Sequence, residues 1–171
     1  MRTISIVLLV FLTACSSKYK TDTFTPPPEP LSTSGSAYVM LARDGAYGAR
    51  TYPGSGHTVS RLLYDAISNH VSNADLATAV ESRDDAFKSA RKDGMTYVFE
   101  PVILNWEDRA TAWSGRPDRI TIRITVWEAA TSKKLASSSE RASSKWATFG
   151  GDHPQDLVPH VVNTFANRVF R

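Results

Sequence analysis

The sequence predicts an α/β domain: a single mixed β-sheet with helices packed on it, in the order β-α-β-α-β-β-β-α. Three observations carry this. Val59, Leu62, Leu63, Ala66, Ile67 and Val71 recur at the spacing of one helix face. Ile120, Ile122, Ile124 and Val126 alternate with Thr121, Arg123, Thr125 and Trp127, the period of a strand with one buried face. Strand and helix patterns alternate early and strands follow one another later, which is the signature of a mixed sheet.

The elements follow in order. Ala37–Ala42 reads as a first, buried strand, and a loop with Gly45, Gly48, Gly54 and Gly56 leads from it. An amphipathic helix is expected from His57 to about Val71, then a short strand over Leu76–Val80. Ser82 with Asp85 three residues on forms a capping box. It opens a helix carrying Ala86, Phe87 and Ala90, which Gly94 ends. Thr96–Trp106 is a third strand, and the turn chemistry of Ser114-Gly115-Arg116-Pro117-Asp118 joins it as a hairpin to the alternating fourth. Lys134 to about Lys145 is a Ser-rich edge strand. The last helix carries Leu157, Val158, Val161, Val162, Phe165, Val169 and Phe170, with Asp156 as N-cap and Pro159 in the first turn.

With 171 residues, 42% hydrophobic and 22% charged, the chain fits one globular domain plus short appendages. The net charge of +3 is small, and Lys and Arg are scattered among Asp and Glu, which argues against nucleic-acid binding. One cysteine allows no internal disulfide framework. No stretch after the leader is apolar over the roughly 20 residues of a spanning helix.

The leader itself is informative. Met1-Arg2 supplies a positive start, Ile4–Leu12 a short apolar core, and Leu12-Thr13-Ala14-Cys15 resembles a bacterial lipobox. That resemblance implies cleavage before Cys15 and acylation of its new N-terminus with palmitate-type chains, several of which hold stably. The alternative is an ordinary secretory peptide with a chance cysteine. Residues 1–14 are thus expected to be signal peptide, 15–36 a lipidated cysteine with a disordered Pro/Ser/Thr-rich tether, and 37–171 a periplasmic domain. The tether, with Pro26-Pro27-Pro28 and Pro30, would reach on the order of 60 Å at about 3.1 Å per residue. Ser16, where an inner-membrane retention signal has Asp, favours the outer membrane.

Two polar-aromatic stretches, Trp106–Arg119 and Lys145–Leu157, stand out with Leu41–Gly48 and Gly54-Ser55-Gly56. Together they resemble a family of gammaproteobacterial lipoproteins, domain of unknown function 4823, over about Ser36–Phe170. The family implies a compartment and a fold and brings no assigned activity. The element order is also similar to the lipoprotein domains that assemble curli pores or activate peptidoglycan synthases.

The candidate binding surface is Glu107, Asp108, Arg109, Trp113, Arg116 and Asp118 on the hairpin, with Asp152 and His153. Aromatic and Arg residues dominate binding hot spots. Against this stands a hairpin whose charges pair locally, and Trp106 and Trp127 are read as packing residues because they continue strand patterns. Gly54-Ser55-Gly56 before a helix resembles a phosphate loop, but it lacks the following Lys, so a turn with an N-cap is preferred. Asp152, His153, Asp156 and His160 offer metal-ligand chemistry without a complete set, so neither metal nor cofactor is expected. His57, His70 and the serines define no triad. Glu107 and Asp108, adjacent on a strand, point to opposite faces.

The favoured reading is a lipid-anchored envelope lipoprotein at the outer membrane whose domain binds an envelope protein and performs no catalysis. A peptidoglycan or glycan binder is second, and a periplasmic enzyme third.

Overall fold

The computed structural model describes residues 16–109, 116–145 and 153–171. Cys15 and the signal sequence lie outside them. The elements are β1 (Lys18–Thr25), β2 (Ser36–Val39), β3 (Ala46–Tyr47), β4 (Arg50–Thr51), α1 (Ser55–Ser68), β5 (Asn73–Leu76), α2 (Arg83–Lys92), β6 (Tyr97–Glu107), β7 (Arg119–Glu128), β8 (Lys134–Ser143) and α3 (Pro154–Val169). From β2 onward, and setting aside the small β3–β4 hairpin, the order is the β-α-β-α-β-β-β-α expected.

Six strands form one mixed sheet in the order β1-β8-β7-β6-β2-β5. β2 runs parallel to both β5 and β6, while β6, β7, β8 and β1 pair antiparallel. One face is buried beneath α1 and α3. Ile120, Ile122, Ile124 and Val126 on β7 and Phe99 on β6 meet Val59, Leu63 and Ile67 of α1 and Leu157, Val161 and Phe165 of α3. Among the described residues the other face is covered only at one end, where Ala86, Phe87 and Ala90 of α2 pack on Met40, Val98 and Ala129. The alternation along β7 thus puts its isoleucines in the core, as predicted.

Both tryptophans read as packing residues do pack. Trp106 is buried. Trp127 stands edge-on to Phe87 with ring centroids 6.1 Å apart. Its Nε1 donates to Glu100 at 3.1 Å, and the Arg83 guanidinium lies 4.5 Å over its ring. Ser82 caps α2 by accepting the Asp85 N–H, also as expected.

Four expectations are corrected. Residues 18–25, assigned to a disordered tether, form strand β1, paired along β8 from Lys18 opposite Ser143 to Thr25 opposite Ser137. Composition concealed this, because the Thr and aromatic residues of Lys18–Thr25 suit a strand only when a partner strand accepts their ladder bonds. β8 is that partner, and it is therefore interior rather than an edge. The docking is specific: Thr21 Oγ1 donates to Glu140 Oε2 at 2.8 Å, and the Arg168 guanidinium sits 3.6 Å over the Phe24 ring. Glu140, only 5% exposed, also accepts from Ser138 Oγ at 2.6 Å; a buried carboxylate needs such partners.

The Pro-rich residues after β1 become a strap across the helix ends, where Leu31 N–H donates to Val169 O at 2.8 Å. The strap carries the chain across four strand spacings, about 19 Å.

The third correction concerns α3. Its N-cap is His153 rather than Asp156, and Pro159 sits inside the helix. Asp156 occupies the third helical position, and its carboxylate accepts the His153 N–H at 2.8 Å. An acid there complements the helix dipole as well as a cap would. Asn163 Nδ2 donates to the Pro159 carbonyl at 2.8 Å. The second strand is also shifted, to Asn73–Leu76.

Candidate functional site

Most of the candidate surface converges at one end of the sheet. β6 delivers Glu107, β7 begins at Arg119 directly opposite it, and His153 starts α3 beside them. Arg109 Nη2 meets Glu107 Oε2 at 2.6 Å, and Asn105 Nδ2 also donates to Glu107, at 3.3 Å. The Arg109 backbone N–H donates to Asp118 Oδ1 at 2.7 Å. Asp118 is fixed in turn by Ser144, whose Oγ accepts its N–H at 2.9 Å and whose N–H donates to its carbonyl at 2.9 Å.

The β3–β4 hairpin closes one side. Tyr52 Oη donates to the Asp108 carbonyl at 3.3 Å, and the Arg109 guanidinium lies 5.8 Å from the Tyr47 ring centroid. Arg116 is exposed at the rim. Trp113 and Asp152 lie outside the described residues. Tyr47, Tyr52 and Ser144 belong to this corner, and sequence reasoning missed them. Their signal was slight: Tyr47 lay within the Leu41–Gly48 motif without a role.

Asp108, Asp118 and His153 each present one ligand-type atom within 4.8 Å of the others. Of the ligand-type residues noted in the sequence, Asp156 is held by the His153 N–H and His160 lies against Tyr19 with ring centroids 3.8 Å apart. One imidazole and two carboxylates suit a divalent cation by donor type, so among the described residues these three could hold a metal. The Asp118 carboxyl is held above the usual range, first by lost hydration and further by the Asp108 charge, against the Arg109 N–H and the His153 and Arg109 charges.

A pH dependence follows. The native state keeps the Asp118 proton more tightly than the unfolded chain does. Its contribution to stability is therefore full below the ordinary carboxylate pKa and is lost as pH rises through the raised native value. Melting temperatures of Asp118→Asn should lack this decline while the parent shows it; identical pH profiles would refute the assignment.

A concavity of about 430 Å³ lies beyond the carboxyl end of β2 and is lined by Arg43, Asp44, Val80, Glu81, Glu100 and Val102. Parallel strands commonly place ligands there. Its acids are already engaged. Glu81 accepts from Tyr38 Oη at 2.6 Å, Glu100 takes Arg83 at 2.9 Å, and Asp44 accepts the Gly56 N–H at 2.9 Å. Burial, and then the bond to Glu81, push the Tyr38 phenol above its ordinary range. The Asp44 contact also settles the glycine loop: the Gly56 N–H that would meet a phosphate is bonded to Asp44, and Gly54 is the N-cap of α1, with Ser55 and Gly56 its first residues. Ser55 Oγ accepts from the Gly45 N–H at 2.8 Å and donates to Tyr52 O at 2.7 Å.

A mixed sheet with unequal helical cover, ending in a charged corner of paired side chains, defines a small α/β domain. The chain belongs to the family described as domain of unknown function DUF4823, whose model matches residues 30–169. The match begins after β1. No curated protein matches the sequence significantly.

Among solved structures, the PelC dodecamer from Paraburkholderia phytofirmans shares the fold at 13% identity and a TM-score of 0.64, covering 91% of this chain and 100% of that one. Lipoprotein GNA1162 from Neisseria meningitidis is similar at 12% identity and a TM-score of 0.50, covering 78% and 99%. The C-terminal domain of LpoB from Salmonella enterica is a more distant likeness, at 12% identity and 0.43, covering 72% and 85%. The topological likeness to small lipoprotein domains read from the element order is thus found. At these identities it is a likeness of fold.

Proposed function

We propose that this chain is a lipoprotein of the outer membrane, anchored through Cys15, whose domain binds an envelope protein without catalysis. One observation carries the reading: the charged corner and the start of β1 lie at the same end of the sheet. Lys18 is opposite Ser143, Ser143 is opposite Arg119, and Arg119 is opposite Glu107. Only Ser16 and Ser17 separate Cys15 from β1, so at about 3.5 Å per residue Lys18 stands within roughly 11 Å of the anchor. The corner of Glu107, Asp108, Arg109, Arg116 and Asp118 therefore meets partners at the membrane rather than at the far end of a tether. The lipobox and a fold shared with lipoprotein GNA1162 support the compartment.

Photo-crosslinking from position Arg116 in cells, followed by mass spectrometry, tests this. The expected result is one dominant protein adduct. An adduct with a second copy of the chain would identify that partner as itself, the arrangement named for the PelC dodecamer. Peptidoglycan fragments without protein would overturn the reading in favour of a glycan ligand.

A further inference from the structure

The face of the sheet that α2 leaves open carries a pattern that the sequence does not display. Pairing register places residues of four strands in rows across it. Lys18, Ser143, Arg119 and Glu107 form the first row; Lys20, Arg141, Thr121 and Asn105 the second. Thr23, Ser139, Arg123 and Val102 form the third. Directly paired residues share a face, and these lie opposite the rows of Ile120 and Ile122, which are buried under α3. α2 reaches only the far end of this face, through Phe87 on Trp127 and Arg83 on Glu100.

The open rows thus gather Lys18, Lys20, Arg119, Arg123 and Arg141, all exposed. Their acids are few and engaged. Asp22 is shared by Arg141 at 3.0 Å and Lys20 at 4.0 Å, and Glu107 is taken by Arg109. Lys18, Arg119 and Arg123 form no ion pair among the described residues. The remaining side chains of the rows are the short hydroxyls Thr23, Thr121, Ser139 and Ser143 with Asn105 and Val102 on β6, none of them anionic. Among the described residues, then, no unpaired carboxylate of the rows stands between the cations and a flat anionic surface.

We propose that this face rests on the phospholipid headgroups of the membrane that holds the anchor, with Lys18, Lys20, Arg119, Arg123 and Arg141 over anionic lipids. This rests on the Cys15 anchor proposed above. The commitment to lipid comes from the chain path. β1 is the strand nearest Cys15 and itself supplies two of the cations, so folding of β1 brings the basic rows down to the bilayer. One acyl-anchored point fixes height but not tilt, and a juxtamembrane basic patch supplies tilt, each basic residue strengthening attachment about fivefold near an anionic surface. The contact is salt-sensitive.

The test uses the acylated full-length product reconstituted in vesicles. Because the chain has a single cysteine, acylation of Cys15 leaves an introduced thiol as the only free one. A fluorophore is placed at Ser139→Cys on the open face or at Ser68→Cys on α1, and headgroup spin-labelled lipid is the quencher. In phosphatidylethanolamine–phosphatidylglycerol vesicles, quenching is expected at position 139 and not at 68. It should fall several-fold in phosphatidylcholine and in the Arg119→Gln/Arg123→Gln variant.

Acylated protein with position 139 unquenched, or with quenching indifferent to those two arginines, overturns the orientation and leaves the anchor standing. Unquenched protein that binds an anionic polysaccharide through the same arginines also overturns it, assigning the face to a polymer. Mass spectrometry showing no acyl group on Cys15 overturns anchor and orientation together.

Discussion

Gly56→Ala should lower stability by about 3 kcal/mol, at or beyond the upper end of ordinary overpacking costs. Helix propensity alone predicts the opposite sign, since alanine in a helix is favoured over glycine by about 1 kcal/mol. The contacts decide. A Cβ on Gly56 would lie 2.2 Å from the Ala42 carbonyl oxygen and 2.9 Å from the Arg43 carbonyl carbon, and backbone atoms cannot rotate aside as a side-chain tip can. The loop cannot simply back away either, because Asp44 holds the Gly56 N–H at 2.9 Å and the Ala42 N–H donates to Ser60 Oγ at 2.8 Å. Urea denaturation measures the loss. Gly48→Asn is the control: nothing lies within 4 Å of its Cβ position, and asparagine tolerates its positive φ. A stabilised Gly56→Ala protein would show that the β2–α1 loop is looser than described.

Phe99→Ala should cost about 4 kcal/mol, within the range for deleting a buried aromatic side chain. Phe99 is fully buried on β6, between the parallel and antiparallel halves of the sheet, and three rings surround it. Tyr97 and Phe165 stand edge-on at 6.4 and 6.5 Å, and Phe170 stacks at 6.4 Å. Truncation opens a cavity whose walls belong to strands on both sides and to α3, so no single element can collapse into it. Thermal melting should show a large drop for Phe99→Ala and a smaller one for Phe99→Leu. Equal losses in the two variants would mean that ring geometry, rather than volume, holds this centre.

Much of the architecture was legible because it is local. The period of Ile120–Val126 put β7 face-down on the core, Ser82 and Asp85 announced the start of α2, and Trp106 and Trp127 kept the packing roles their strands implied. The candidate corner was legible residue by residue: Glu107, Asp108, Arg109, Arg116, Asp118 and His153 were singled out from two stretches far apart in the chain. Their grouping was not. Asp156 and His160 offer, with Asp152 and His153, ligand-type chemistry without a complete set, and α3, which begins at Pro154, makes Asp156 the cap partner of His153. His153, one residue outside the helix, instead comes within reach of Asp108 and Asp118.

By itself the sequence determined the types and order of the elements from β2 onward apart from the β3–β4 hairpin, the buried faces of α1, β7 and α3, and the family. Those follow from short-range periodicity, capping and turn chemistry, which act within a few residues. Tertiary structure alone decided that Lys18–Thr25 is a strand, that β8 is interior, and that five scattered cations share one open face. The reason is the same in each case: a β-ladder joins residues more than a hundred positions apart, as Thr21 and Glu140 are, and no local pattern records which partner a strand will find.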